Sequence, residues 1–259
     1  MTFSTPKLVP ASIYNFTELA LPTTGRPWHD RTRPYIIFNM VSSVDGKTTT
    51  NGSGLEGLGS PIDRKLMNQL RSQVDGVLVG GNTLRVDPFI PTVSAELMAE
   101  RLKNFSNPQP LGIVVSRHGD LPLDHRFWQA GKELRLVLVG ADISQAKLTE
   151  LEARSQVRQF PPNPETDQLN LGEMIALLYS EFGIKRLLIE AGASFNYALI
   201  DQKCADEFFI TISPHLVGGK GNSTVLGGEG HGFIQLRNLQ LRSCYTTENH
   251  LFLRYQFQA

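Results

Sequence analysis

Cysteine is almost missing from this chain: among 259 residues only Cys204 and Cys244 occur, far apart. That excludes a disulfide framework and the paired-cysteine spacing of a structural zinc site. Net charge is missing too, with 25 Lys+Arg balanced by 25 Asp+Glu. No basic excess is available to neutralise a phosphate backbone, so no nucleic-acid partner is expected. Apolar runs stop at strand length, far short of the ~20 residues that span a bilayer. The opening residues, Met1 to Pro6, lack the basic start and apolar run of a signal peptide. The six histidines (His29, His118, His125, His215, His231 and His250) show no metal-ligand spacing, and no metal is expected. There is no H-x-E…C-x-x-C pattern of a zinc deaminase, no G-x-S-x-G elbow and no G-x-G-x-x-G after a strand. A cytoplasmic protein that handles a small molecule without membrane or nucleic acid is the expectation.

What is present is alternation. Hydrophobic residues make up 41% of the chain and charged residues 19%, enough to bury the core of one large domain at this length. Residues 1–33 are rich in breakers around Pro22–Pro27 and read as an N-terminal extended arm, with at most a short helix near Tyr14–Leu19. Residues 34–259 read as a single domain. Apolar and β-branched runs predict strands at 35–41, 75–80, 111–116, 134–140, 185–190, 206–213, 234–245 and 249–257. Ser60-Pro61-Ile62-Asp63 has the cap, the proline and the first-turn acid of a helix start, and Ile62, Leu66 and Leu70 follow as one stripe. Asn170 and Glu173 cap a second helix that stops at Gly183, and a third is predicted from about Gly192 to Gln202. The pattern implies an α/β fold with a mostly parallel sheet, helices on both faces and a C-terminal antiparallel hairpin at the sheet's edge. The segment from Arg117 to Arg135 and the loop at Pro161–Thr166 read as irregular.

Four polar breaks follow predicted strands: Ser42–Lys47, Gly80–Thr83, Ser116-Arg117 and Glu190–Ser194. In a parallel sheet they share one rim, where ligand crevices form. Glu190-Ala191-Gly192-Ala193-Ser194 combines a strand-end acid with small residues at a helix start, which suits a pyrophosphate on bare N–H groups. Ser116-Arg117 offers a hydroxyl and a guanidinium suited to the 2′-phosphate of NADPH. Gly218–Ser223 lacks the P-loop spacing and reads as a flexible connection to the last hairpin. With no nucleophile or metal evident, hydride transfer by a bound cofactor fits best.

Read in order, Asn39–Lys47, Leu70-Arg71-Ser72, Asp75–Thr83, Ile189–Gly192 and Asp206–Gly219 resemble the pyrimidine reductase family of riboflavin biosynthesis, whose fold is similar to dihydrofolate reductase. The resemblance runs from about residue 33 to the C-terminus. It implies a homodimer that uses NADPH to reduce a ribosylamino-pyrimidinone 5′-phosphate to its ribitylamino form. By position it implies that Ser43, Lys47, Arg71 and Glu190 bind substrate. It likewise assigns cofactor contacts to Val41, Gly81, Thr83, Asp87, Ser116, Arg117, Gly192, Ala193, Ser194, Phe195 and Asn196. Asp45 and Glu190 are the catalytic candidates, one of them expected to supply a proton.

Two departures bear on the substrate. Arg85-Val86-Asp87-Pro88 has one acid before the proline and no arginine after it, and Gly57 stands where relatives carry an aromatic residue. Arg85 or Lys47 could supply the missing charge. The alternatives are a reductase of this fold acting on another heterocycle or carbonyl, including a dihydrofolate-type substrate, or a non-catalytic nucleotide-binding relative.

Overall fold

The computed structural model describes residues 21–25, 32–49, 57–86, 90–227, 232–233 and 235–258. The expected helix at Tyr14–Leu19 and most of the N-terminal arm lie outside them. Among them nine strands form one sheet: β1 (Tyr35–Ser43), β2 (Gly76–Gly80), β3 (Leu111–Ser116), β4 (Arg135–Gly140), β5 (Gln156–Phe160), β6 (Arg186–Ile189), β7 (Glu207–Ser213), β8 (Leu239–Thr247) and β9 (His250–Phe257). Their spatial order is β5-β4-β3-β2-β6-β1-β7-β9-β8. β1 to β7 are mutually parallel, while β9 runs antiparallel to β7 and β8 to β9. The mostly parallel sheet with a closing edge hairpin is as expected.

Among the described residues six α-helices accompany the sheet: α1 (Pro61–Ser72), α2 (Gly81–Val86), α3 (Ala95–Arg101), α4 (Gln145–Glu152), α5 (Leu171–Ser180) and α6 (Ala193–Asp201). Strand periodicity assigns their sides. Ile36 and Phe38 on β1 enter the same core cluster as Met174 and Leu178 of α5 and Leu199 of α6. Tyr35 and Ile37 point the other way and pack with Leu66 and Leu70 of α1. α1 begins as the sequence predicts, the Ser60 hydroxyl accepting the Asp63 N–H at 3.1 Å. A cap of that kind contributes about 1 kcal/mol. Asn170 likewise accepts from the Glu173 N–H at 3.2 Å, and Gly183 leaves α5 at φ +63°.

The structure adds elements that periodicity missed. β5 is an edge strand, Gln-Val-Arg-Gln-Phe, with only Phe160 buried. An edge strand buries too little to show an apolar pattern. α2, α3 and α4 are a turn or two long and carry weak stripes. β8 starts at Leu239 rather than at 234, and the hairpin turns on Glu248 and Asn249, both at positive φ (49° and 63°). The arm's described end packs down: Leu21 is buried with Tyr35, and Arg186 donates to the Leu21 and Pro22 carbonyls.

Candidate active site at the carboxyl rim of the sheet

β3, β2, β6 and β1 are consecutive neighbours and all parallel. The four breaks predicted from sequence therefore stand side by side, each at a carboxyl end of its strand. Their backbone is open where a ligand would lie. A side chain built at Gly80 or Gly192 meets nothing within 4 Å, whereas Gly81, the first residue of α2, has the Ser116 side chain 3.1 Å from where its Cβ would be. Gly192 is the N-cap of α6 and supplies no side-chain cap, so the helix's first N–H groups offer an anion-binding end. Behind it Asn196 is buried. Its amide donates to Met40 Sδ at 3.2 Å, and its Oδ1 has no partner among the described residues. Ser194 is exposed and Ala193 and Phe195 are half-buried; Thr83 is half-buried on α2 and Val41 is buried on β1. These residues fit a nicotinamide dinucleotide across the rim. Asp87 lies outside the described residues.

On the α1 side, Arg71 and Glu190 meet. Arg71 Nη2 donates to Glu190 Oε2 at 2.8 Å, its Nε lies 3.1 Å and 3.2 Å from the two carboxylate oxygens, and Nη1 reaches the carbonyls of Ile90 and Thr92. Both side chains are buried, at 5% and 7% exposure. Arg71 was expected as a binder of substrate phosphate or ribose; the structure brings it to Glu190 and the 90–92 segment.

The Ser-Val-Asp-Gly-Lys turn is closed on itself. Ser43 is fully buried; its hydroxyl donates to Asp45 Oδ1 at 2.6 Å and accepts the Lys47 N–H at 2.9 Å. Ser43, expected to contact substrate, spends its hydroxyl inside the turn. Asp45 also accepts the N–H groups of Val217 (3.0 Å) and Gly218 (2.7 Å). These donors, the Ser43 hydroxyl foremost, hold its carboxyl down at about 2. Asp45, expected as one of two catalytic candidates, is held as a carboxylate by these three donors. The reason is tertiary. Gly218–Ser223, predicted as a flexible connection, is stitched to the turn by Thr48 N–H to Ser223 O and Lys47 Nζ to Asn222 O, and just before it Val44 N–H bonds His215 O.

Arg117 does not stand open to the rim either. Its guanidinium grips Asp142 at 2.5 Å and 2.8 Å and Asp167 at 2.5 Å, and these two carboxylates raise its pKa further. A guanidinium shared by two acids gives the group a net negative charge, which opposes a 2′-phosphate.

One carboxyl was read from sequence only as a helix-start acid. Asp63 accepts from the Thr211 hydroxyl at 2.6 Å. Thr211 is buried on β7 directly beside Val41. Burial raises the Asp63 pKa, opposed by the Thr211 bond and by His250 and reinforced by Glu190. Nearby, Asn39 Oδ1 is shut from solvent with no hydrogen-bond partner among the described residues. Only a first-turn acid with a threonine on a distant strand was visible beforehand, and no spacing links them. Among the described residues no group of three His, Cys, Asp or Glu could hold a metal, and no helix is long and apolar enough to cross a membrane.

The family model described as the RibD C-terminal domain matches residues 34–253. A protein of Archaeoglobus fulgidus named 2,5-diamino-6-ribosylamino-4(3H)-pyrimidinone 5′-phosphate reductase is 31% identical over 199 residues, 76% of this chain and 88% of its own. Among solved structures, a pyrimidine reductase-like protein of Corynebacterium diphtheriae aligns with a TM-score of 0.75 at 21% identity, covering 87% of this chain and 92% of that one. The riboflavin biosynthesis reductase of Saccharomyces cerevisiae aligns at 0.69 and 18%, covering 94% and 98%. The chain spans 58% of a RibD chain of Acinetobacter baumannii, at a TM-score of 0.70 and 22% identity. The structural likenesses establish a dihydrofolate reductase-like fold, and with the family model and the Archaeoglobus relative they lead to one conclusion: the chain belongs to the RibD C-terminal domain family, the pyrimidine reductases of riboflavin biosynthesis.

Proposed function

We propose that this chain reduces the ribosylamino side chain of a 2,5-diamino- or 5-amino-pyrimidinone 5′-phosphate to the ribitylamino form, with NADPH as hydride donor. The observation that carries the reading is the unbroken rim of β3, β2, β6 and β1 in a chain whose relatives bear that reductase name over most of their length. When bound, the reduced nicotinamide supplies the hydride. The chain's own residues position the reactants. Gly80, Gly81, Thr83, Ser116 and the start of α6 from Gly192 to Asn196 hold the dinucleotide, with Val41 against the nicotinamide. Glu190, fixed by Arg71, contacts the sugar or the polar edge of the pyrimidine. Lys47, half-buried beside the 222–224 segment, supplies positive charge for the substrate phosphate. Asp45 keeps the turn between them in place.

The protein works in the cytoplasm as a homodimer in this reading. β8 is the sheet's edge and exposes Leu239 and Leu241 at 41% and 49%; such an edge is normally covered. An NADPH oxidation assay with the ribosylamino-pyrimidinone phosphate set against dihydrofolate tests the function. Turnover of the first alone is expected; turnover of dihydrofolate alone, or of neither, overturns the reading.

A further inference from the structure

Among the described residues three carboxyl groups stand on the α1 side of the rim, and two are taken up by close donors. Asp45 is bound by a hydroxyl and two backbone N–H groups, and Glu190 is paired with Arg71. Asp63 differs: its close side-chain partner is the neutral hydroxyl of Thr211, at 2.6 Å. It sits in the first turn of α1, which starts on the same rim. Thr211 next to Val41 anchors it over the junction of β1 and β7.

We propose that Asp63 donates the proton that the reduction requires, with Thr211 fixing the orientation of its carboxyl. The inference rests on the reductase reading above. Reduction of a ribosylamine needs one hydride and one proton. The hydride forms the new bond to the first sugar carbon, and the nicotinamide that delivers it is oxidised. The bond from that carbon to the ring oxygen breaks with its electron pair left on oxygen. The Asp63 O–H proton neutralises that oxygen, opening the ring to the ribityl chain, and the Asp63 carboxylate is reprotonated from solvent.

The surroundings favour the protonated acid for this step. Desolvation is the largest influence on Asp63 and raises its pKa. Glu190 at the end of β6 adds to the rise, whereas His250 at the start of β9 and Arg64 on α1 itself lower it, as does the Thr211 bond. His250 is oriented by its Nδ1, which lies 2.9 Å from the Glu248 carbonyl. Since a carbonyl only accepts, Nδ1 carries the hydrogen.

The test has two independent readouts. An infrared carbonyl band of a neutral carboxyl at neutral pH is expected in the wild type and should vanish in Asp63→Asn. Its absence from the wild type overturns the proposal whether or not the substrate reading holds. In turnover of the pyrimidinone phosphate, Asp63→Asn should lower kcat on the order of 100-fold or more, and Asp63→Glu should restore part of it. Cofactor affinity should stay within about threefold of the wild type, since Asp63 does not hold the dinucleotide. Thr211→Val removes a bond that lowers the Asp63 pKa, so the alkaline limb of kcat against pH should move to higher pH. That variant also serves if Asp63→Asn does not fold. A kcat for Asp63→Asn within about threefold of wild type, or an unmoved limb in Thr211→Val, overturns the assignment. Failure of the wild type to turn over the pyrimidinone phosphate while the band is present would count against the substrate reading instead.

Discussion

Arg71 and Glu190, 119 residues apart in the chain, join at 2.8 Å in a two-pronged ion pair almost closed to solvent. The pair ties the end of α1 to the end of β6, and Arg71 extends the tie to the 90–92 segment. It is thus a structural joint, and under the proposed function it lies on the substrate side.

Arg71→Ala strips a buried carboxylate of its partner. Losing one member of such a pair costs about 3–5 kcal/mol, which equilibrium unfolding in urea will register. In the folded fraction the substrate KM should rise while the affinity for NADPH stays nearly unchanged. Arg71→Lys should not rescue it, because an ammonium cannot reproduce the two-pronged contact. Equal weakening of both ligands would contradict the placement of this pair on the substrate side.

The Arg117 clamp bears on cofactor choice. With Asp142 and Asp167 on one guanidinium, the wild type should separate NADPH from NADH only weakly, by about tenfold or less in kcat/KM, less than one freed charge-assisted contact could add. Asp142→Asn combined with Asp167→Asn releases the arginine and should shift the ratio toward NADPH. An unchanged ratio in the double variant would show that Arg117 has no part in reading the 2′-phosphate.

Asp45 makes the turn sensitive to acid. Its folded pKa, about 2, lies below the ordinary carboxylate value near 4. A depressed pKa contributes stability that is fully present above the unfolded value and is lost as pH falls through the folded one. The contrast between wild type and Asp45→Asn should therefore be constant above about pH 4 and fade towards about pH 2. Amide hydrogen exchange at Val217 and Gly218 reads it directly, since those N–H groups bond to Asp45. Protection there that is the same in both proteins at neutral pH would remove Asp45 from its place in the turn.

The β8–β9 hairpin carries a correctable cost. Glu248 at φ +49° holds a side chain in the left-handed region, worth about 1 kcal/mol against it. Glu248→Gly suits this two-residue turn and should raise Tm on the order of 2 °C. Calorimetry showing a lower Tm would mean that the Glu248 side chain makes a compensating contact.

Much of the site was legible before folding because its parts are local. A strand that ends in Ser-Val-Asp-Gly-Lys, in Gly-Gly-Asn-Thr or in Glu-Ala-Gly-Ala-Ser announces both the strand and the polar break after it. What such segments do to one another was not legible. Ser43 and Asp45 look like ligand contacts until residues 215–218 fold over them. Arg117 looks like a phosphate binder until Asp142 and Asp167 arrive from two other loops. β5 was hidden because an edge strand needs few apolar residues.

By itself the sequence determined the class: parallel α/β, capped helices at Ser60 and Asn170, a closing hairpin, and four polar breaks in strand-end positions. Those features follow from backbone periodicity and capping chemistry, which act over a few residues. Only the tertiary structure decided which charges are spent and which remain available. Strand order set β3, β2, β6 and β1 side by side, joined Arg71 to Glu190, and brought Thr211 from β7 against Asp63. Ionisation depends on desolvation and on partners contributed by distant segments, so the surroundings of each carboxyl are set by packing rather than by its neighbours in the chain.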